Sequence, residues 1–276
     1  YFYYRPMSIG RDGAPAYSSA LSAYNVGRTT SVYDVDKLGE FTLDYKKDFG
    51  KSRINALAGY TMQNKTYDRV GVEAKGFAND RIHEVTAHGT NASDISLYST
   101  RKAAWALLSY FARLNWSYDG RYALTGTVRA DGSSRFGVDN RYGFFPSVSA
   151  GWTLSNEPFM KDRLDGIASI RLRASWGKSG NNNIGNYSSI ASISTGGYAF
   201  GNTAVSATAE GAFTDTALGW ETTTQTNIGV DLGFLDNRIN VIANYYNSIS
   251  SDILYKAPIS VISGSTSTTT NMSGAK

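Results

Sequence analysis

The stretch that decides the fold is residues 108–130, LSYFARLNWSYDGRYALTGTVRA. From position 108 to 118 the even positions are Leu, Tyr, Ala, Leu, Trp and Tyr, and the odd positions between them are mostly polar. From 121 to 130 a second alternating run has Tyr, Leu, Gly, Val and Ala on one face and Arg or Thr at most positions of the other. A period of two indicates β-strands whose two faces meet different surroundings.

The same pattern recurs along the chain and predicts eight strands. They are Phe41–Phe49, Ile54–Met62, Leu108–Tyr118, Arg121–Ala130, Phe144–Leu154, Ala168–Trp176, Trp220–Phe234 and Ile239–Tyr245. Their connections alternate between short turns, at 49–52, 118–121 and 235–238 with a slightly longer link at 156–165, and long loops. Short turns at one end and long loops at the other are typical of bacterial outer-membrane barrels.

Aromatic residues bracket the apolar face of these strands and predict two interfacial girdles. The predicted girdle residues are Trp116, Tyr118, Tyr122, Trp152 and Phe234 near the short turns, and Phe144, Trp176 and Trp220 near the long loops. The alternative is that these aromatics form the core of a soluble β-sandwich. The distribution of charge favours a membrane location, because the apolar face of the five strands between positions 108 and 234 carries no charged residue. The opposite face carries Arg113, Arg121, Arg129, Arg171, Arg173, Glu221 and Asp231.

Composition excludes several classes of function. The net charge of +4, without a basic run, argues against nucleic-acid binding, and the absence of Cys excludes disulfides and thiolate chemistry. No run approaches the roughly 18 apolar residues of a membrane helix. No catalytic motif and no cofactor or metal signature is found, and His83 and His88 are interpreted as solvated loop residues. We therefore expect no enzyme, and we interpret the chain, which has no initiator Met, as an internal fragment.

Residues 121–152, RYALTGTVRADGSSRFGVDNRYGFFPSVSAGW, resemble the SusC/RagA family of TonB-dependent transporters. The resemblance extends to SNEPFM at 155–160, LRASWGKSGNNNIGNY at 172–187, LGWETTTQTNIGVDLGFLDNRINVIANYY at 218–246 and FTLDYKKDFGKSRINALAGY at 41–60. Such transporters have barrels of 22 strands with a plugged lumen, of which eight strands would be about a third.

The resemblance implies an extracellular loop region at 1–37 and a partial barrel at 38–276, with the plug domain and the other strands absent. It also implies a multi-pass protein of the bacterial outer membrane that imports an oligomeric nutrient, a glycan or a peptide. The implied partners are outer-membrane lipid, a SusD-like surface lipoprotein and the TonB complex, reached through the absent N-terminal part. Two alternatives stay open, a self-contained small outer-membrane barrel and a soluble carbohydrate-binding β-sandwich.

Candidate ligand contacts lie in two loops rich in amides and aromatic rings. They are Arg135, Phe136, Asn140, Arg141 and Tyr142 in one loop, and Asn181, Asn182, Asn183, Tyr187, Tyr198 and Phe200 in the other. Amides and rings suit sugars or peptides. The alternative is that the Arg and Asn side chains only order the loops.

The pattern as a whole predicts one all-β, antiparallel, up-and-down sheet of about eight strands, open and curved like a section of barrel wall. We expect Trp116, Trp152, Trp176 and Trp220 on the convex face and exposed. We expect Arg113, Arg129, Arg171 and Arg173 on the concave face.

Overall fold

The computed structural model describes residues 2–3, 8–9, 15–16, 26–75, 95–160, 167–201, 203–211 and 213–272. The chain divides into two compact units. Unit 1 comprises Tyr1–Lys37 and Lys65–Ala104, and unit 2 comprises Leu38–Asn64 and Trp105–Lys276. Among the described residues, no helix is long and apolar enough to cross a membrane.

The described chain forms fifteen strands. They are β1 (Phe2–Tyr3), β2 (Ser8–Ile9), β3 (Pro15–Ala16), β4 (Val26–Phe49), β5 (Ser52–Lys75), β6 (Ile95–Tyr118), β7 (Tyr122–Ser133), β8 (Tyr142–Thr153), β9 (Ile167–Asn181), β10 (Ile193–Phe200), β11 (Thr203–Glu210), β12 (Glu221–Phe234), β13 (Ile239–Ser251), β14 (Ile253–Pro258) and β15 (Ser267–Met272). Nine of them form one sheet in the order β1-β4-β5-β6-β7-β8-β9-β12-β13. Three small hairpins, β2–β3, β10–β11 and β14–β15, complete the described strands.

All eight predicted strands are present, and each pairs with its predicted neighbour. The antiparallel, open, up-and-down arrangement is therefore confirmed, since the strand order runs from β1 to β13 and the two do not pair with each other. The predicted lengths are wrong for β4, β5 and β6, which have 24 residues each. Residues 26–37 are consequently strand, although the sequence suggested a loop region there. The long loops also contain the unpredicted hairpins β10–β11 and β14–β15.

The short turns require backbone conformations that few residues adopt. In the turn between β6 and β7, Asp119 and Gly120 have φ angles of 51° and 65°. Two successive left-handed residues match the right-handed twist of the flanking strands, so this tight turn fixes the register of the hairpin. That register pairs Tyr118 with Tyr122 and Leu108 with Gly132.

Unit 2 buries few apolar side chains for its size. The largest apolar ones that are fully buried are Phe136 and Leu218, and they lie among the loops rather than between two sheets. On the apolar face, by contrast, Trp176 is 38% exposed and Phe144 is 62% exposed. A β-sandwich would bury this face against a second sheet, so the exposure argues against that alternative.

The link after β8 begins with a 3-10 turn at Leu154–Asn156. The turn ends at Asn156, whose side-chain amide donates a hydrogen bond to the Gly120 carbonyl, at 3.0 Å. This contact fastens the link to the neighbouring short turn.

Candidate functional site

Four aromatic rings form a continuous row on the apolar face beside the short turns. Trp116 stacks on Tyr118 with ring centroids 6.2 Å apart, Tyr118 meets Tyr122 at 6.4 Å, and Tyr122 stacks on Trp152 at 6.5 Å. The strand register places these side chains on one face, because Tyr118 lies opposite Tyr122 and Tyr122 lies opposite Trp152. Four of the predicted girdle residues thus lie in direct contact with one another.

A second aromatic row, which the sequence analysis missed, crosses β4, β5 and β6. The rings of Phe41 and Tyr60 are 5.9 Å apart, and those of Tyr60 and Tyr110 are 6.5 Å apart. From Tyr110 to Tyr118 is a rise of eight residues, or about 27 Å along the strand. With the strand tilt of about 40° that is usual in such barrels, the two aromatic rows would be about 20 Å apart along the membrane normal. This separation is close to the roughly 25 Å height of the apolar band of outer-membrane barrels.

The remaining predicted girdle residues lie in different surroundings. Phe144 and Trp176 are exposed on the apolar face of β8 and β9. Phe234 lies at the end of β12, half-buried, where the pairing with β9 shifts register. The girdle prediction is wrong for Trp220, since its ring lies 5.3 Å from both Phe136 and Phe145. Trp220 precedes β12, so the alternation of that strand does not fix its direction.

The buried carboxylate of Glu157 ties the row of four rings to the short-turn end of the sheet. It accepts hydrogen bonds from the Tyr122 hydroxyl at 2.6 Å, the Trp152 indole at 3.0 Å and the Arg121 guanidinium at 3.0 Å. These three donors, led by the Tyr122 hydroxyl, hold the pKa of Glu157 below its usual value, although burial opposes them.

Arg121 joins the aromatic row from the turn rather than projecting from a strand. Its guanidinium carbon lies 5.7 Å from the Tyr118 ring centre and 5.6 Å from that of Tyr122. It also pairs with Asp119 at 3.0 Å. The expectation that Arg121 points from the charged face of the strand is therefore wrong, because β7 begins one residue later.

The opposite face of unit 2 is polar and carries ion pairs within the sheet. Arg173 binds Asp231 through two nitrogens, at 2.9 and 2.7 Å, and also donates to Asn244. Arg129 binds Asp131 at 2.7 Å and donates to Ser109. Arg129 and Arg173 are thus each paired with a carboxylate on this face, and such a concentration of charge suits a wet surface better than a lipid-facing one.

At the loop end of the sheet, Arg135 holds two loops together. Its Nε donates to Asn186 at 3.1 Å, its Nη1 donates to the carbonyl of Asn182 at 3.1 Å, and its guanidinium carbon lies 4.9 Å from the Trp105 ring centre. Burial lowers the pKa of Arg135. This arginine orders the loops, which was the alternative left open by the sequence.

Below these loops lies the apolar cluster of unit 2, made of Phe136, Ile184 and Leu218 with Trp220 and Leu254 packed against it. Phe136 is 1% exposed. Trp220 also donates its indole N–H to the carbonyl of Arg141, at 3.0 Å. We call this the loop-end cluster.

The candidate ligand contacts therefore separate into two groups. Arg135, Phe136, Asn140 and Asn182 are used within the protein, Asn140 donating to the Ala217 carbonyl and Asn182 to Ser133. Exposed candidates are Arg141, Tyr142, Asn181, Asn183, Tyr187 and Phe200. The Tyr198 side chain lies outside the described part of the structure. The same is true of residues 76–94, which include His83 and His88.

The comparisons with known proteins identify the family. The family model described as TonB dependent receptor-like, beta-barrel, matches residues 1–276. The chain is 35% identical over 233 residues to TonB-dependent receptor P39 of Formosa agariphila, covering 84% of this chain and 22% of that protein. It is 33% identical over 250 residues to TonB-dependent receptor SusC of Bacteroides thetaiotaomicron, covering 89% of this chain and 24% of that protein. The chain thus spans about a quarter of the length of these curated relatives.

Solved structures agree with this assignment. The structure of the RagAB peptide transporter matches with a TM-score of 0.81 and 28% identity, covering 95% of this chain and 29% of that chain. The RagAB peptide importer in its "open-open" state matches with a TM-score of 0.80 and 29% identity, over 92% and 27% of the two chains. The chain therefore belongs to the TonB-dependent receptor-like β-barrel family, and its relatives are SusC/RagA-type transporters.

Proposed function

We propose that this chain forms part of the barrel wall of a transporter that imports an oligomeric nutrient, a glycan or a peptide, across the bacterial outer membrane. The observation that carries the proposal is the contrast between the two faces of the sheet in unit 2. One face is apolar, exposed and bordered by two aromatic rows. The other carries charged side chains, hydroxyls and amides. Lipid on the first side and a wet lumen on the second account for both faces.

The family assignment supports import energised by the TonB complex and shared with a SusD-like surface lipoprotein. The intact protein would carry the parts that contact these partners, and the loop end of this chain would face the cell exterior. Exposed rings such as Tyr142 and Phe200 at that end offer stacking surfaces for a sugar or a peptide. Transport of this kind makes no covalent bond, so the proposed function requires no catalytic residue.

Membrane placement is tested by inserting one charge on either face of the same strand in the full-length transporter. Val148 lies on the apolar face and Ser147 next to it on the polar face. Arginine facing lipid near the midplane costs about 2–4 kcal/mol. We expect Val148→Arg to reduce the folded, heat-modifiable protein recovered from outer membranes, and Ser147→Arg to match the wild type. Equal yields of the two variants would contradict the placement of these faces.

Transport is tested separately in the native host. Deletion of the full-length gene is expected to abolish growth on the imported nutrient, supplied as defined pools of oligosaccharides or oligopeptides as sole source. Loss on one pool alone identifies the nutrient class. Growth unchanged on every pool would contradict import of either kind.

A further inference from the structure

Two arginines at alternate positions of β9 lie side by side on the polar face with different surroundings. Arg173 uses its nitrogens on Asp231 and Asn244. For Arg171, by contrast, the described part of the chain provides no hydrogen bond or ion pair, and the side chain is exposed. Asp231, the carboxylate opposite Arg171 in the pairing of β9 and β12, is already bound by Arg173 through both oxygens. Arg171 therefore keeps its donors available.

Glycines make room for both guanidinium groups. A Cβ built on Gly151 of β8 would lie 3.5 Å from Nη2 of Arg171, and one built on Gly229 of β12 would lie 3.2 Å from Nη2 of Arg173. The arginines thus lie flat over neighbouring strands, and the absent side chains leave space above the sheet.

That space is a depression of about 280 Å³. Its polar lining consists of the two arginines and the side chains of Thr125, Ser149, Ser175, Asn227 and Asn244. Asn227 donates to the Ser175 oxygen at 3.2 Å, which leaves the Ser175 hydroxyl proton to point elsewhere. Most of these groups can donate hydrogen bonds, and none of the described residues that line the depression is a carboxylate. A guanidinium among neutral donors favours an anionic occupant.

We propose that this depression is a binding site for a single carboxylate, held by Arg171 with help from the hydroxyls of Ser149 and Ser175. The planar fork of Arg matches a carboxylate through two parallel hydrogen bonds, as Arg173 already shows with Asp231. The volume accommodates an acidic side chain or one acidic residue of an oligomer but not a whole oligomer. The carboxylate comes either from another part of the same polypeptide or from the nutrient.

The inference requires only one part of the proposed function, namely that the polar face of the sheet lines the lumen. The first test uses Arg171→Lys in the full-length transporter, treated with a carbodiimide that joins an amine to a carboxylate in direct contact. Arg113→Lys is the matched control, because Arg113 lies on the same face outside the depression and donates to Thr127. Cross-linked peptides are then identified by mass spectrometry.

A cross-link from position 171 to a carboxylate elsewhere in the polypeptide supports the site and assigns an internal source. A cross-link to a co-purified molecule supports the site and assigns the nutrient as source. If neither forms, the second test decides, using phenylglyoxal labelling of arginines in the wild-type protein. We expect Arg171 to be labelled several-fold more slowly in acetate than in an equal concentration of acetamide, with Arg113 unchanged.

Cross-linking to Asp231 alone, or none above the Arg113→Lys level, combined with equal labelling in acetate and acetamide, would overturn the proposal. Both readouts are independent of nutrient uptake. A failed site therefore leaves the transport function standing, and a failed uptake assay leaves the site measurable.

Discussion

The two ends of the sheet in unit 2 are held together by different forces. At the short-turn end a buried carboxylate, Glu157, collects three side-chain donors and locks a row of aromatic rings. At the loop end the loop-end cluster of apolar side chains is buried under loops that are joined by amide and guanidinium contacts. The arrangement at the short-turn end depends on the charge of Glu157 and on the geometry of its hydrogen bonds. The arrangement at the loop end depends mainly on buried apolar area. The two ends should therefore respond differently to substitution and to acid.

The largest expected effect is at the loop end, from Phe136→Ala. The ring is 1% exposed, and deleting a buried Phe side chain costs about 3–5 kcal/mol. We expect faster hydrogen exchange in residues 182–190 and 213–220, measured by mass spectrometry on the full-length protein, with no change in residues 153–160.

Val138→Ala is the matched control, because Val138 is in the same loop but 79% exposed. Equal exchange in the two variants would show that the loops are held by their hydrogen bonds rather than by the cluster.

A smaller effect is expected at the short-turn end from Trp152→Phe. The change keeps a ring in the aromatic row but removes the indole N–H that donates to Glu157. Hydrogen bonds to charged groups contribute about 1.5–3 kcal/mol when buried, and the half-exposed position should reduce this to about 1 kcal/mol. Chemical unfolding in detergent measures it.

Trp176→Phe serves for comparison, because Trp176 is in the same sheet but donates no hydrogen bond from its indole within the described residues. If both variants lost the same stability, ring size rather than the contact with Glu157 would explain the effect.

Acid should separate the two ends as well. The pKa of Glu157 is lowered in the folded protein, first by the Tyr122 hydroxyl, then by Trp152 and Arg121. The pKa of Asp119 is lowered too, mainly by Lys51. A depressed carboxyl pKa gives stability that is fully present above the unfolded value, about 4, and is lost as the pH falls through the folded value.

We therefore expect a reversible acid change in Trp152 fluorescence below about pH 4, assigned by comparison with Trp152→Phe. The change should disappear in Glu157→Gln. An identical acid change in that variant would assign the titration to another carboxyl group.

The smallest effect is expected from Lys51→Gln. Lys51 pairs with Asp119 at 3.0 Å, but its side chain is 64% exposed, and exposed ion pairs contribute little because water screens them. The unfolding midpoint should stay within experimental error of the wild type. A clear loss would mean that the ionic contacts of this end act as one network with Arg121.

The strands were predictable from sequence because each alternates between two environments, and that alternation is local. Trp116 and Trp152 lie in one row on one face of the sheet for this reason. The row formed by Phe41, Tyr60 and Tyr110 was missed because its three rings belong to three different strands, and only the pairing of those strands brings them together. A search for aromatics about nine residues from each short turn could have found it.

The site residues were harder to predict, because loops carry no periodicity. Trp220 and Arg121 each lie one residue outside a strand. There the alternation of odd and even positions no longer determines which face of the sheet the side chain is on. Glu157 is separated by 35 residues from Tyr122, so its role depends on the pairing of β7 and β8. Arg171 and Arg173 look alike in sequence, and only the diagonal contact to Asp231 distinguishes them.

Strand β13 has a consequence for how such a protein must be handled in the cell. It pairs with β12 on one side, and its residues, INVIANYYNSISS, include no charge, no Pro and no Gly. Within the described sheet its other side is an edge, with Tyr245 and Tyr246 each 69% exposed. A long, neutral edge of this kind is a template for amyloid-like polymerisation. Rapid covering of β13 after synthesis, by a chaperone or by its neighbouring strand, is therefore a condition for productive assembly.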